Sequence, residues 1–366
     1  MDLSNVNKKL FKYLFIGIGI FIGIFIVIFI IKLIIGSKMN YQNIENKMQQ
    51  AAINYLKKND NNVELPNGNE SLVIKVDDLV ANKNMKELKK YLKNDEISCD
   101  GKVIVRKNND EYLYIPYLDC KEDYKTLELR EYIIQNDGIK TQDDGLYLIN
   151  NEYVFRGEYP NNYVKFANQL WRIIKIDSEG NIKLIQDETK IRNNWDDRYN
   201  VDFKSTVGVN NYELSRVHDR LSSLYDEIFT TGDDKKYITS KNLCVGKRYL
   251  EDTSKDGTTE CNQILENQKI GLIQINEFLI ASIDPNCNKV KDGSCQNYNY
   301  MSSYKDEFWS ITPVAADTSK VYSIRNGSVK SYSASITKLI RPIIYLNSDV
   351  IYSSGDGTKK NPYIFK

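Results

Sequence analysis

The sequence predicts an α+β protein with one N-terminal transmembrane helix, a small α+β module and a strand-rich C-terminal domain. Three observations predict this organisation: one long apolar run near the N-terminus, six cysteines that all follow this run, and a change after residue 145 to short strands separated by turn residues. The expected divisions are a cytoplasmic tail (1–12), a transmembrane helix (13–36), the small module (38–125), a connector (126–144) and the C-terminal domain (145–366).

The apolar run extends over residues 14–35 and is interrupted only at Lys32. As a helix, these 22 residues reach about 33 Å, enough for a hydrocarbon core about 30 Å thick. The run is longer than that of a cleaved signal peptide, and no Ala-x-Ala-like site follows it, so an uncleaved anchor in the lipid bilayer is favoured. Gly19 and Gly23 form a small-xxx-small pattern, which allows a homodimer through this helix.

Lysines predict the orientation of the anchor. Lys8, Lys9 and Lys12 precede the run, whereas Lys38 and Lys47 follow it more sparsely. Because positive residues are retained on the cytoplasmic side, the N-terminus is expected in the cytoplasm and the bulk of the chain outside the cell membrane.

The cysteines support the same location, because disulfides persist in oxidising compartments. They form three sequence-local groups: Cys99 with Cys120, Cys244 with Cys261, and Cys287 with Cys295. Six cysteines allow fifteen complete pairings, so this nearest-neighbour scheme rests on locality alone.

Several function classes find little support in the sequence. The 50 Lys and Arg nearly balance the 49 Asp and Glu, so no net field favours nucleic acid. No C-x-x-C motif is present, and the single histidine, His218, has no plausible ligand partner nearby, so neither a metal site nor a cofactor is expected. No Gly-x-Ser-x-Gly elbow occurs, and no catalytic residue is predicted.

In the small module, apolar residues three or four apart predict an amphipathic helix from Tyr41 to Tyr55. A strand at 72–76, a short helical pair at 77–92 and two strands at 103–106 and 112–117 are expected to follow. A bond between Cys99 and Cys120 would close the hairpin that the last two strands form.

The C-terminal domain is expected to contain hairpins and one long helix. The predicted strands lie at 146–149, 153–156, 163–166, 170–176, 182–186, 308–311, 320–324, 328–332 and 341–346. Asn326-Gly327 is the strongest hairpin signal. The helix is expected over 214–229, because Leu214, Val217, Leu221 and Leu224 share one face.

Ordered motifs in this domain resemble those of Gram-positive surface proteins that carry a domain of unknown function. The motifs are Tyr153-Val154-Phe155-Arg156-Gly157, Asn162-Tyr163-Val164-Lys165-Phe166, Leu170-Trp171-Arg172-Ile173, Trp195, Phe308-Trp309-Ser310, Arg341-Pro342-Ile343-Ile344-Tyr345-Leu346, Gly355-Asp356-Gly357-Thr358 and Pro362-Tyr363. The resemblance covers about residues 145–366. It implies a C-type-lectin-like fold, distantly similar to the formylglycine-generating enzyme, and carries over no active site.

Residues 13–125 resemble a type IV pilin or pseudopilin in outline. The shared features are an apolar helix that continues into an amphipathic one, a small sheet and a disulfide loop. The apolar run lacks the glutamate near its start that pilins use, and no Gly-Phe-type processing site precedes it.

Candidate ligand-binding residues lie in two long connections, 187–212 and 251–305, because loops on a rigid scaffold commonly carry recognition. They are Asn194, Trp195 and Asp196 in a polar loop, and Tyr298 and Tyr300 in a Tyr- and Asn-rich stretch. If Trp195 were exposed, it would stack on a sugar ring while Asn194 and Asp196 bind the hydroxyls; a tryptophan that caps the core is the alternative. Trp171 and Trp309 are expected in the core.

The sequence thus predicts a membrane-anchored extracellular binding or adhesion protein whose ligand is a glycan, a peptide or a protein. A pilus-like or pseudopilin-like assembly component is the first alternative, and a cell-surface enzyme is the second.

Overall fold

A computed structural model describes residues 38–58, 63–68, 70–94, 96–108 and 111–366. The predicted cytoplasmic tail (1–12) and transmembrane helix (13–36) lie outside these residues. Among the helices that are described, none is long and apolar enough to cross a membrane. The chain divides into two compact units: the first contains the described residues up to Arg106 and Tyr114–Thr126, and the second contains Lys107–Leu113 and Leu127–Lys366.

The first unit combines one long helix with a three-stranded sheet. Its elements are α1 (Tyr41–Lys57), β1 (Ser71–Lys75), α2 (Val76–Ala81), a 3₁₀ turn (Leu88–Lys90) and the larger parts of β2 (Asp100–Asn108) and β3 (Glu111–Asp119), whose residues within 107–113 are assigned to the second unit. The sheet order is β1-β2-β3, and β1 pairs antiparallel with β2. Helix α1 buries Ile44, Met48, Ala51 and Ala52, which confirms the predicted apolar face.

The predicted connector contains a helix that was not expected from the sequence. α3 (Leu129–Asp137) buries Leu129 and Ile133 against the second unit's core. Glu128 and Glu131 form a capping box at its start. Its apolar residues, Leu129, Tyr132, Ile133 and Ile134, extend over less than two turns, which is too short a pattern to distinguish a helix from a linker.

The second unit is rich in strands. They are β4 (Gly145–Ile149), β5 (Glu152–Arg156), β6 (Tyr163–Phe166), β7 (Gln169–Ile176), β8 (Ile182–Gln186), β9 (Arg192–Asn194), β10 (Lys241–Cys244), β11 (Ile264–Gln268), β12 (Phe308–Pro313), β13 (Lys320–Arg325), β14 (Ser328–Ser333), β15 (Thr337–Leu339), β16 (Ile343–Leu346), β17 (Tyr352–Ser354) and β18 (Ile364–Phe365). The six-stranded sheet has the order β16-β8-β7-β5-β4, with β6 also paired to β7. The five-stranded sheet has the order β14-β13-β12-β15-β9. The pairs β10-β11 and β17-β18 stand apart from these sheets.

Three helices complete the second unit after α3: α4 (Arg216–Ile228), α5 (Gly232–Lys235) and α6 (Ile275–Ala281). Helix α4 matches the predicted one and buries Val217, Leu221 and Leu224. Short 3₁₀ turns lie at Glu260–Asn262, Gly293–Gln296 and Tyr300–Ser303. The described chain is therefore α+β with a strand-rich body, as predicted.

The predicted hairpins are present because their turn residues accept positive φ. Asn150 and Asn151 have φ of 51° and 62°, and Asn326 and Gly327 have φ of 46° and 72°. Such pairs match the right-handed twist of the flanking strands. Ala167 has a φ of 48° in the β6-β7 turn, a conformation that costs a non-glycine residue energy.

The three disulfides are those that sequence locality predicted. They join Cys99 to Cys120, Cys244 to Cys261 and Cys287 to Cys295. The first lies in the first unit, and the other two staple the long connection that precedes β12. That connection is therefore ordered by covalent bonds in addition to β10, β11 and α6.

Candidate functional site

Trp195 and Asp196 lie in the core, which corrects their selection as ligand-binding residues: the sugar-stacking tryptophan is excluded, and the alternative of a tryptophan that caps the core is the one observed. Trp195 is fully buried, and its indole Nε1 donates to the carbonyl of Ser310 at 3.1 Å. Asp196 is also fully buried, where it accepts hydrogen bonds from the Val209 amide and from Arg198 Nε. Asn194 lies on β9, and its side chain accepts from Thr337. The polar side chains of Asp196 and Asn194 need no contact with solvent here because they make hydrogen bonds within the protein.

The two predicted tyrosines have different environments. Tyr298 is 56% exposed, whereas Tyr300 is fully buried. Only the ring of Tyr298 can therefore meet a ligand directly. Burial raises the pKa of Tyr300 well above its usual value, so its hydroxyl stays protonated.

Tyr298 lines a groove of about 1000 Å³ in the second unit. Its walls are the segment after β5, the stretch before and within the last 3₁₀ turn, and the turn between β17 and β18; β6 and β7 contribute its floor. The lining residues are Glu158, Tyr159, Pro160, Asn161, Tyr163, Arg172, Asp284, Gln296, Asn297, Tyr298, Asn299, Ser302, Ser303, Thr358 and Lys359. One of the two long connections predicted to carry recognition thus forms a wall of this groove.

Arg172 on the floor is the distinctive residue of the groove. It is only 3% exposed, and its Nε donates to Asn162 Oδ1 at 2.8 Å. Its guanidinium carbon lies 4.4 Å from the ring centres of both Tyr163 and Tyr300. Within the described part of the chain, no carboxylate pairs with Arg172, and its two terminal nitrogens keep solvent access without a protein partner.

The other charges of the groove have partners. Lys359 Nζ lies 3.1 Å from Asp187 Oδ2 and 3.3 Å from Glu188 Oε1. Asp284 accepts from Asn297 Nδ2 at 2.8 Å and from the amide of Asn286. These two hydrogen bonds lower the pKa of Asp284, so it is a carboxylate at neutral pH.

The groove walls are held by the backbone and by a disulfide. Gly157 and Asn299 form a parallel bridge, which places the segments after β5 and before the last 3₁₀ turn side by side. Asn299 Nδ2 donates to the carbonyls of Phe278 and Cys295, and Cys295 is bonded to Cys287. Tyr163 donates its amide to Gly357, which fixes the C-terminal turn against β6.

The rim of the groove offers unbonded polar groups. Tyr159 is 75% exposed and donates its hydroxyl to Glu158. Among the residues that the structure describes, the side-chain amides of Asn161 and Gln296 and the hydroxyl of Tyr298 make no hydrogen bond to protein. These groups can both donate and accept, which suits recognition of hydroxyl-bearing ligands.

A second cavity, of about 1180 Å³, lies in the first unit beside Cys99. Its charged lining residues, among them Lys75, Asp77 and Lys89, are all exposed to solvent. Charges in such a setting are screened and need no ligand. The groove with Arg172 is therefore the better candidate site.

No metal site is found in the described ranges, where no group of three or more His, Cys, Asp or Glu side chains is placed to hold an ion. His218 on α4 is partly buried, and its ring contacts Gln268 and the carbonyl of Glu213. The Gly355-Asp356-Gly357-Thr358 motif forms the turn between β17 and β18, in which Asp356 accepts from the Thr358 amide.

No protein-family model matches this sequence, and no curated protein or solved structure is significantly similar to it.

Of the residues that line the groove, Tyr298 was predicted from the sequence, whereas Arg172, Tyr159 and Lys359 were not. One signal for Arg172 was present: it is the only charged residue in the otherwise apolar run 170–174. A charge in such a run must find a partner or a cavity when the strand is buried.

Proposed function

We propose that this chain is a membrane-anchored extracellular surface protein of binding or adhesion type, and that its second unit binds its ligand in the groove. One observation carries the proposal: a buried guanidinium without an ionic partner faces a groove whose rim bears exposed tyrosines and unbonded amides. Buried charges are normally paired. A ligand that pairs with Arg172 gives this arrangement a function.

The location rests on the sequence and on the disulfides. A 22-residue apolar run with lysines before it supports an N-terminal anchor with a cytoplasmic tail. Three disulfides support an oxidising surrounding for both units. Protease shaving of intact cells tests this location: we expect cleavage of the second unit from outside, and cleavage only after lysis would contradict it.

A C-type-lectin-like fold for the second unit belongs to the same proposal. In such domains the first and last parts of the chain lie together. Here Glu128 bridges Ile351, and the amide of Leu129 donates to the carbonyl of Val350 at 2.7 Å. This closure supports the resemblance that the motifs of residues 145–366 suggest.

The binding proposal is tested with the full-length chain in detergent micelles on an array of glycans, peptidoglycan fragments and peptides. We expect a defined set of ligands to be retained. Retention of none of them, by a chain shown to be folded, would contradict the proposal.

A pilus-like assembly component remains the alternative, because the first unit has the outline of a pilin head. Helix α1 is joined to a three-stranded sheet by the hydrogen bond from Gln49 Nε2 to the Tyr114 carbonyl, and a disulfide links Cys99 to Cys120. Cross-linking in cells distinguishes the two: a ladder of multimers would favour assembly, whereas monomers and dimers favour the anchored binding protein.

An enzyme is less well supported, although two carboxylates line the groove. Glu158 accepts a hydrogen bond from Tyr159, and the lowered pKa of Asp284 suits an ionised carboxylate rather than a proton donor. We therefore place recognition ahead of catalysis.

A further inference from the structure

We infer that the groove binds an acidic saccharide, a sugar chain whose carboxylate pairs with the terminal nitrogens of Arg172. The inference rests on the proposed binding function and narrows its ligand to one chemical class.

The terminal nitrogens of Arg172 are suited to binding a carboxylate. A guanidinium carries five N–H groups in a planar fork, and Arg172 uses Nε on Asn162. The remaining nitrogens can meet both oxygens of a carboxylate in parallel, which is the strongest geometry for this pair. Tyr163 and Tyr300 hold the guanidinium in place by ring contacts at 4.4 Å, so little side-chain freedom is lost when a ligand binds.

The charges of the groove favour a carboxylate over a phosphate monoester. Arg172 is the one cation among the described lining residues that lacks an ionic partner, since Lys359 is paired with Asp187 and Glu188. Glu158 and Asp284 place two carboxylates in the same groove. Glu158 and Asp284 repel a ligand carboxylate, which carries one delocalised negative charge, less strongly than a phosphate monoester, which carries up to two.

The side chains that line the groove favour a sugar over a peptide. Apart from Pro160, no aliphatic side chain lines the groove among the described residues, so the apolar side chains of a peptide would find no pocket. The rim instead offers the exposed rings of Tyr159 and Tyr298 and the free amides of Asn161 and Gln296. Flat rings can cover the C–H face of a sugar while amides bind its hydroxyls. The volume of about 1000 Å³ holds more than one sugar ring.

The test uses the full-length chain in detergent micelles and glycans printed as matched pairs. The pairs are trigalacturonate with its methyl ester and sialyllactose with its methyl ester. A glycerol phosphate oligomer, and a peptide panel with free or amidated C-termini, stand for the other anions. We expect at least one acidic sugar to bind about 10- to 100-fold more tightly than its neutral partner, as loss of a charged hydrogen bond implies.

Two variants distinguish a role of the groove rim in binding from a general effect of removing an exposed tyrosine. Tyr298 has a φ of 46°, which asparagine tolerates well, so Tyr298→Asn removes the ring without straining the backbone. The matched control is Tyr249→Ala, because Tyr249 is 58% exposed and does not line the groove. We expect the acidic sugar to bind several-fold more weakly to Tyr298→Asn and equally well to Tyr249→Ala.

The outcomes are distinct. Equal binding of acidic and neutral partners would overturn the inference and leave the proposed binding function intact. Preference for the glycerol phosphate oligomer, or for a peptide with a free C-terminus, would overturn the saccharide assignment. Retention of no ligand by the folded chain would contradict the binding function and the inference together.

Discussion

Arg248 and Arg172 are both buried in the second unit, yet the chain treats them differently. Arg248 is fully buried, and its Nη1 donates to both carboxylate oxygens of Glu260, at 3.0 and 3.2 Å. Its Nη2 donates to the carbonyls of Asp252 and Ser254. Among the described residues, the side chain of Arg172 has one hydrogen-bonding partner, Asn162, and two aromatic neighbours.

This difference suggests a criterion for distinguishing a structural arginine from a ligand-binding one: whether the protein itself supplies a carboxylate to the buried guanidinium. Removing a guanidinium from water is costly, and a carboxylate with further hydrogen bonds offsets that cost. Around Arg248 the loop that Cys244 and Cys261 close supplies the carboxylate and two carbonyls for the terminal nitrogens, and Nε is left without a partner among the described residues. Around Arg172 the protein supplies two aromatic rings and the side-chain amide of Asn162, and the proposed ligand supplies the carboxylate.

The largest expected effect on the free energy of unfolding comes from breaking the buried ion pair between Arg248 and Glu260. In Glu260→Gln the buried charge of Arg248 loses its counterion, and breaking such a pair costs about 3–5 kcal/mol. Denaturant unfolding followed by tryptophan fluorescence measures it, because all three tryptophans lie in the second unit. The control is Glu251→Gln, whose partners Lys289 and Lys291 are at the surface; because exposed ion pairs contribute little, it should leave the free energy of unfolding nearly unchanged.

The buried framework also includes Trp195. We expect Trp195→Ala to lower the free energy of unfolding by about 3–5 kcal/mol, as much as Trp309→Ala, because both indoles are fully buried. Thermal unfolding of the two variants side by side measures this. A melting temperature for Trp195→Ala close to that of the unaltered chain would contradict the placement of Trp195 in the core.

The two disulfides of the second unit should differ in what they protect. Replacing Cys244 and Cys261 by serine opens a loop with a sequence separation of 17 and should cost about 3 kcal/mol. Replacing Cys287 and Cys295 opens one with a separation of 8 and should cost about 2.5 kcal/mol. Only the second exchange should also weaken ligand binding, since Cys295 supports Asn299 in the groove wall. Equal binding losses in both would remove this distinction.

Arg172→Gln should cost about 2 kcal/mol of stability, less than Glu260→Gln, because the hydrogen bond to Asn162 and the ring contacts with Tyr163 and Tyr300 are lost but no ion pair is broken. The same unfolding experiment compares them. A loss as large as that of Glu260→Gln would mean that Arg172 is a structural residue and that the groove needs no anion.

The smallest expected effect on stability is that of Tyr298→Asn. An exposed side chain without hydrogen bonds contributes within about 0.5 kcal/mol, so the melting temperature should be nearly unchanged. A large loss would show that the ring supports the loop rather than faces a ligand.

Local signals in the sequence were sufficient for much of the fold. Asn150-Asn151 and Asn326-Gly327 mark hairpins because their side chains tolerate positive φ, and the spacing of Leu221 and Leu224 marks α4. The disulfides were predictable because each pair is near in sequence. These features depend on interactions between residues that are close along the chain.

The candidate site could be predicted only in part, because its contacts are long-range. Arg172 meets Tyr300 across more than a hundred residues, and Lys359 reaches Asp187. Trp195 was chosen as a candidate because its sequence neighbours are polar; its indole is nevertheless buried and donates to the carbonyl of Ser310, 115 residues further along the chain. Local polarity does not report burial when distant groups supply the hydrogen bonds.

The most direct test of the central claim is a thermodynamic cycle between Arg172 and the carboxylate of a sugar. Titration calorimetry with the full-length chain and its Arg172→Gln variant would measure the affinities for an acidic oligosaccharide that the array identifies and for its neutral partner. We predict that the unaltered chain prefers the acid by about 10- to 100-fold and that the variant binds both alike, which gives a coupling of about 1.5–3 kcal/mol. The same preference for the acid in both proteins would contradict the claim, because the carboxylate would then be bound elsewhere.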